Sequence, residues 1–218
     1  MRPFILLAIA STSVAAQSAP SGPLKWDITA GSGNGATSAS FGALRVMRPV
    51  AYDRVQFGLG LRATYVAGDL KLAPAGAKNV PVGVIDTLSV ASGALMLNVS
   101  GHIAFILTSR LQAGLNIDLA GVGTGGSRNA TYKASTSAAA SKVNASPTGA
   151  NLFLYGSKDR GSLNSEFFAA WALNDRLTLR GGLSHQLVEY EAERTLSSNT
   201  ARFRSYSNLI FLGLRVAR

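Results

Sequence analysis

Val55 to Ala67 alternates with a period of two. Val55, Phe57, Leu59, Leu61, Ala63, Tyr65 and Ala67 fall on one face, with Gln56, Gly58, Gly60, Arg62, Thr64 and Val66 on the other. Such a period is a β-strand with two chemically different faces. At about 13 residues the stretch exceeds the usual soluble strand of about 5–6, and crossing a bilayer takes about 9–11 tilted residues. The second face carries Gly, Gln, Thr and Arg. A narrow barrel lumen uses glycine to make room for larger neighbours, whereas a water-facing strand rarely collects it.

The pattern recurs along the chain. Leu24, Trp26 and Ile28 oppose Lys25 and Asp27, and a weaker strand from Ser38 to Met47 sets Gly42, Leu44 and Val46 against Ala43 and Arg45. Leu88–Leu107 has Leu95, Leu97, Val99, Ile103 and Phe105 against Asn98, Ser100 and His102. Leu111–Gly121 has Leu115 and Ile117 against Asn116 and Asp118; Ser162–Leu173 has Phe167 and Trp171 against Glu166. Leu177–Tyr190 has Leu179 and Leu183 against Arg180 and Ser184, and Tyr206–Val216 has Ile210, Leu212 and Leu214 against Gly213 and Arg215. That predicts about eight strands, the size at which side chains fill the interior.

Connections around Pro49, Ser109 and Asn174-Asp175 are short. Those over Gly68–Asp86, Gly123–Arg160 and Glu191–Ser205 are long, and only the first, Gly31–Gly35, is short on the long side. The longest, Gly123–Arg160, reads as irregular, with one apolar patch at Leu152–Tyr155. Alternating short and long connections predict an all-β, antiparallel up-and-down transmembrane β-barrel with short periplasmic turns, longer extracellular loops and both termini in the periplasm. The competing arrangement is a soluble barrel with apolar residues turned inward around a ligand.

The N-terminus supports export. Arg2, the apolar run Phe4–Ala10 and the small residues Ser11–Ala16 read as a signal peptide over residues 1–16, leaving 17–218 as the barrel domain. No later stretch reaches about 18 uninterrupted apolar residues, so no transmembrane helix is expected.

On these features the chain resembles the small outer-membrane barrels of the OmpA, OmpX and OmpW kind. It departs from them in ending Leu214-Arg215-Val216-Ala217-Arg218, where such barrels end in an aromatic residue. The resemblance implies the outer membrane of a Gram-negative-type bacterium and a non-enzymatic structural or surface-interaction role. An OmpW-like narrow channel for small or hydrophobic solutes is the alternative, and a lipid-modifying enzyme a third class.

Composition narrows the chemistry. The 218 residues carry a net charge of +10, yet only 15% are charged, against about 25% in a soluble domain. No cysteine is present, so there is no disulfide or thiolate nucleophile, and two histidines argue against a metal site. No cofactor is expected. Ser184 and His185 fall on opposite faces of one strand, and His102 lies near a short turn, so no catalytic set converges.

The polar faces place Lys25, Asp27, Arg45, Arg62, Asp118, Glu166, Arg180 and Arg215 in the lumen. Charges confined there must pair. Asp27 and Arg215 meet where the first and last strands close the barrel, and Glu166 and Arg180 across the Asn174-Asp175 turn. The long loops are basic: Arg128, Lys133, Lys142, Lys158 and Arg160, then Arg194, Arg202 and Arg204. Outer-membrane lipids and lipopolysaccharide phosphates are the expected partners of these cations, together with a host or surface ligand on the loops. No aromatic–basic motif suggests nucleic acid. The chain is expected to be a monomer. Trp26, Trp171, Tyr65, Phe105 and Tyr206 lie toward strand ends, as girdle aromatics do.

Overall fold

The computed structural model describes residues 22–48, 53–75, 86–137, 139–155, 158–196 and 199–217. The expected signal peptide, residues 1–16, lies outside the described residues. The described chain contains twelve strands and no helix: β1 Leu24–Gly33, β2 Ala36–Met47, β3 Val55–Pro74, β4 Thr87–Ile106, β5 Leu111–Thr124, β6 Arg128–Lys133, β7 Ala140–Pro147, β8 Ala150–Tyr155, β9 Lys158–Arg160, β10 Leu163–Ala172, β11 Leu177–Ala192 and β12 Arg202–Ala217.

Eight of these close a ring. β1 pairs with β2, β2 with β3, β3 with β4, β4 with β5, β5 with β10, β10 with β11, β11 with β12 and β12 with β1, all antiparallel. The expected up-and-down barrel is therefore present. Its β1–β2 connection is a two-residue turn, with Asn34 (φ 47°) and Gly35 (φ 75°) both left-handed. That is the hairpin geometry for which Asn-Gly is the favoured pair.

The register gives the stagger. Partners run from Phe57 through Ile103, Leu115, Phe167, Leu183, Ile210, Ser32 and Thr37 back to β3 at Ala67. The row returns ten residues further toward the outer end, so the strands tilt and each step round the ring climbs a little over one residue. Corrected for this climb, Trp26, Phe57, Phe105 and Trp171 lie at one height and Tyr65 and Tyr206 at another. About nine residues separate the two levels. At roughly 3.3 Å each and a tilt near 40°, that is about 23 Å, close to the roughly 25 Å apolar band of such barrels.

Between the two levels the burial is inside-out. Leu59, Leu61, Leu97, Leu179, Leu183 and Ile210 are exposed on the outer wall, while Arg62, Asn98, Asp118, Glu166 and Arg180 are buried within. This is the distribution of a membrane-spanning barrel and rejects the apolar-in arrangement for this part of the chain.

Above Tyr65 the pattern inverts. On β3 the apolar stripe moves from odd positions, Leu59 and Leu61, to even ones, with Val66, Leu70 and Leu72 all buried. β4 does the same through Leu88, Val90, Ala94 and Met96. A second, six-stranded ring stands here: β3 with β4, β4 with β6, β6 with β7, β7 with β11, β11 with β12, and β12 back to β3 through Phe203↔Pro74 and Arg204↔Ala73. Its interior is a continuous apolar core including Tyr132, Val143, Val188, Tyr190 and Phe203. In water the apolar face must turn inward, so the switch of parity marks where the bilayer ends.

Gly123–Arg160 is therefore not irregular; it contains β6 to β9. The β6–β7 hairpin supplies two staves of the upper ring and buries Ala130, Tyr132, Val143 and Ala145 there.

Candidate functional site

The lower ring holds a chain of alternating charges. Arg62 donates Nε and Nη2 to Asp118 Oδ1 at 3.0 and 2.5 Å. Its Nη1 lies 2.9 Å from Glu166 Oε1. Glu166 Oε2 accepts from Arg180 Nη2 at 3.3 Å, and Arg180 Nη1 lies 2.8 Å from Asp27 Oδ1. Arg215 closes the series on Asp27 Oδ2 at 2.6 Å. Three carboxylates and three guanidiniums thus alternate from Asp118 to Arg215 with no net formal charge.

Local structure places each member. Between Val99 and Ser100 the β4–β5 register shifts, so Ala120 faces Val99 while Asp118 faces Ser100. The extra residue, Leu119, makes a bulge, which lets Asp118 turn inward while β5 continues upward. Asn98 Nδ2 and the Asn164 backbone N–H then donate to Asp118 Oδ2 at 2.8 and 2.9 Å. Asn116 Nδ2 donates to Glu166 Oε2 at 2.8 Å. Arg180 stands opposite Ala170 rather than Glu166 and reaches it diagonally. Its guanidinium carbon lies 4.4 Å from the centre of the Phe168 ring. Phe168 also stacks on His102, whose Nδ1 is 2.6 Å from Asn116 Oδ1. The cavity beside these groups, lined by Arg62, Ser100, Asn116, Glu166 and Arg180 among others, has a volume of about 30 Å³, room for a water or two.

Of the expected lumen residues, Asp27, Arg62, Asp118, Glu166, Arg180 and Arg215 come together in this chain, and both expected pairs form. Lys25 shares the inner face of β1 and is half-buried. Arg45 is a correction. β2 turns Ser40, Gly42, Leu44 and Val46 inward, so Arg45 is exposed on the outer wall near the short-turn end of the ring. Asn98, Asn116 and Asn164 join the site without having been expected there. Their inward parity is visible in the sequence, but nothing in it shows that they satisfy carboxylates.

The basic set divides. Arg128, Lys133, Lys142 and Arg194 are exposed, and Arg160 is half-buried. Lys158 pairs with Tyr155 through the backbone of β9. Arg202 and Arg204 are not free loop cations. Both begin β12 and bind Glu189, which is 0% exposed, Arg202 through Nε and Nη2 at 2.9 and 2.7 Å and Arg204 through Nη2 at 2.8 Å. Glu189 lies on β11, two residues before the stretch read as the last loop, so the loop taken by itself does not show the pairing.

Ser184 points inward and donates to Asn164 Oδ1 at 2.7 Å, whereas His185 is on the outer wall against Asn208 and Tyr206. The two side chains do not meet. Among the described residues no cluster of metal-ligating side chains occurs.

No family model and no curated protein matches the sequence. In outline the structure is similar to Neisserial surface protein A, with a TM-score of 0.41 and 11% identity over 89% of this chain and 96% of that one. It is also similar to a major outer membrane protein from Thermus thermophilus, with a TM-score of 0.39 and 12% identity over 89% and 99%. The toluene transporter TodX of P. putida follows at 0.24 and 11%, over 84% and 70%. These are likenesses of outline, and the functional reading rests on the residues themselves.

Proposed function

We propose that the chain is a non-conducting outer-membrane barrel with a structural or surface-interaction role in the cell envelope. The observation that carries this reading is the filled interior. Between the girdles the lumen is occupied by the charge chain from Asp118 to Arg215, and the cavity beside it has a volume of about 30 Å³. Above it stands the apolar core of the six-stranded ring. A hydrated ion would need a continuous polar path, and the apolar core interrupts one. A hydrophobic solute would have to cross the charge layer, which desolvation forbids. Both features favour the plug over the channel.

What remains available for interaction is the rigid outer tower. It displays Lys133 and Lys142 on a β6–β7 hairpin whose other face is anchored in the core, a surface suited to anionic partners such as lipopolysaccharide. The separation of Ser184 from His185 favours a non-enzymatic role.

Two measurements test the reading. The precursor is expected to lose Met1–Ala16 and fractionate with outer membranes; mature protein in the soluble periplasm would end it. Liposomes carrying the refolded barrel should not swell in small sugars or amino acids, and swelling comparable to that of a porin would favour the channel.

A further inference from the structure

The β8–β9 hairpin is the part of the chain that neither ring needs. β8 pairs with β5 through Ala150, Asn151 and Leu152, then forms a hairpin with β9. The row from Leu61 through Val99 and Ala120 to Leu152 fixes its height. Three strands of climb put Leu152 about four residues above Leu61, at the level of Tyr65. β8 runs antiparallel to β5, so the chain descends from there. Leu154 therefore lies on the bilayer side of the outer girdle. It is 65% exposed and sits at φ 53°, a conformation that leucine rarely adopts. An exposed, strained leucine at the membrane boundary is a costly feature without an apolar partner.

The hairpin is also clamped to a cationic site. Arg204 Nη2 donates to the Asp159 carbonyl at 3.1 Å, and the Gly161 N–H to Glu189 Oε1 at 3.3 Å. Asp159 Oδ1 in turn accepts the Leu154 N–H at 2.9 Å. Two guanidiniums share the Glu189 carboxylate, while the Asp159 carboxylate is turned to the Leu154 N–H. Arg204 is buried, and its Nε has no hydrogen-bond partner among the described residues. The Arg202 side chain remains 32% exposed.

We propose that the hairpin and the Arg202–Glu189–Arg204 cluster form a binding site for a phosphorylated lipid of the outer leaflet. Leu152 and Leu154 take its acyl chain, and the arginine pair takes its phosphate. Apolar side chains below and guanidiniums above reproduce the order of acyl chain and phosphate in that leaflet. The proposal rests on the membrane reading above.

The chain has no cysteine, so Leu154→Cys and Leu59→Cys each give one labelling site for an environment-sensitive dye. Both are reconstituted in phosphatidylcholine vesicles and titrated with diphosphoryl lipid A or its dephosphorylated form. The dye at 154 should be shielded from iodide and respond to diphosphoryl lipid A at a concentration at least tenfold lower than to the dephosphorylated form. Arg202→Gln should remove that difference. An equal response to the two lipids, or iodide quenching at 154 with 59 protected, overturns the proposal alone. Quenching at 59 as well overturns the membrane reading. If Arg202→Gln fails to refold, the comparison of the two lipids on the parent arginines still decides.

Discussion

Glu166 is the hinge of the charge chain, and neutralising it tests whether the lumen is a plug. The side chain is 2% exposed and faces Arg62 at 2.9 Å and Arg180 at 3.3 Å. Glu166→Gln keeps the shape and one acceptor but leaves three guanidiniums against two carboxylates. Breaking a buried ion pair by removing one partner costs about 3–5 kcal/mol. Arg62 retains Asp118 and Arg180 retains Asp27, so the lower end, about 3 kcal/mol, is expected. Arg180→Met in the same chain restores the balance, while Asp27 keeps Arg215. The double variant should then recover about 1–2 kcal/mol, a coupling of the size seen between contacting residues. The assay is urea unfolding of the refolded barrel in lipid vesicles for both single variants and the double. In a water-filled lumen the same pair would be worth about 0–1 kcal/mol. A single-variant loss within that range, with no coupling, would refute the reasoning.

Four further outcomes are expected. Arg45→Gln should change stability by no more than about 0.5 kcal/mol in the same assay, because Arg45 lies on the outer wall; a loss like that of Glu166 would return it to the lumen. Phe203→Ala, at 0% exposure and edge-on to Tyr132 in the upper core, should cost about 3–5 kcal/mol and open the β6–β7 hairpin to added protease; unchanged resistance would deny the six-stranded ring. Cysteines at Leu59, Leu61, Leu97 or Leu179 should react with lipid-phase probes and those at Gln56, Asn116 or Arg180 should not, reversed labelling meaning a wrong register. Gly182→Ala would put a Cβ 1.9 Å from the Phe167 carbonyl oxygen, so refolding yield should drop sharply; wild-type yield would contradict the close β10–β11 approach.

The lower ring is legible in the sequence because lipid and lumen impose opposite chemistry on alternate residues. Leu59 and Leu61 against Arg62, or Leu179 against Arg180, can be assigned without coordinates. The tower is harder. There the apolar face turns inward, and on β6 and β7 it consists of only Ala130, Tyr132, Val143 and Ala145, set among Ser, Thr, Asn and Lys, too few to stand out as an apolar stripe. Its signal is nevertheless present on β3, where the apolar stripe shifts from Leu61 to Leu70 and Leu72. Arg45 goes astray because charge marks the lumen on the other strands, whereas β2 near its short-turn end fills the inside with Leu44 and Val46. The ion pairs Asp27–Arg215 and Glu166–Arg180 follow from closure and hairpin geometry. What no local pattern encodes is the bulge that aims Asp118 at Arg62 and Asn164 on distant strands, whereas Glu189 faces Arg204 across the β11–β12 hairpin, as local a pairing as Glu166 with Arg180.

Single-channel recording in planar bilayers tests the filled barrel most directly. Refolded protein, shown to be inserted by protease protection of its membrane strands, is expected to give no conductance steps above the bare bilayer at any applied voltage the membrane withstands. Reproducible ohmic steps from inserted protein would mean a continuous water path through the charge layer and the tower, and would contradict the account.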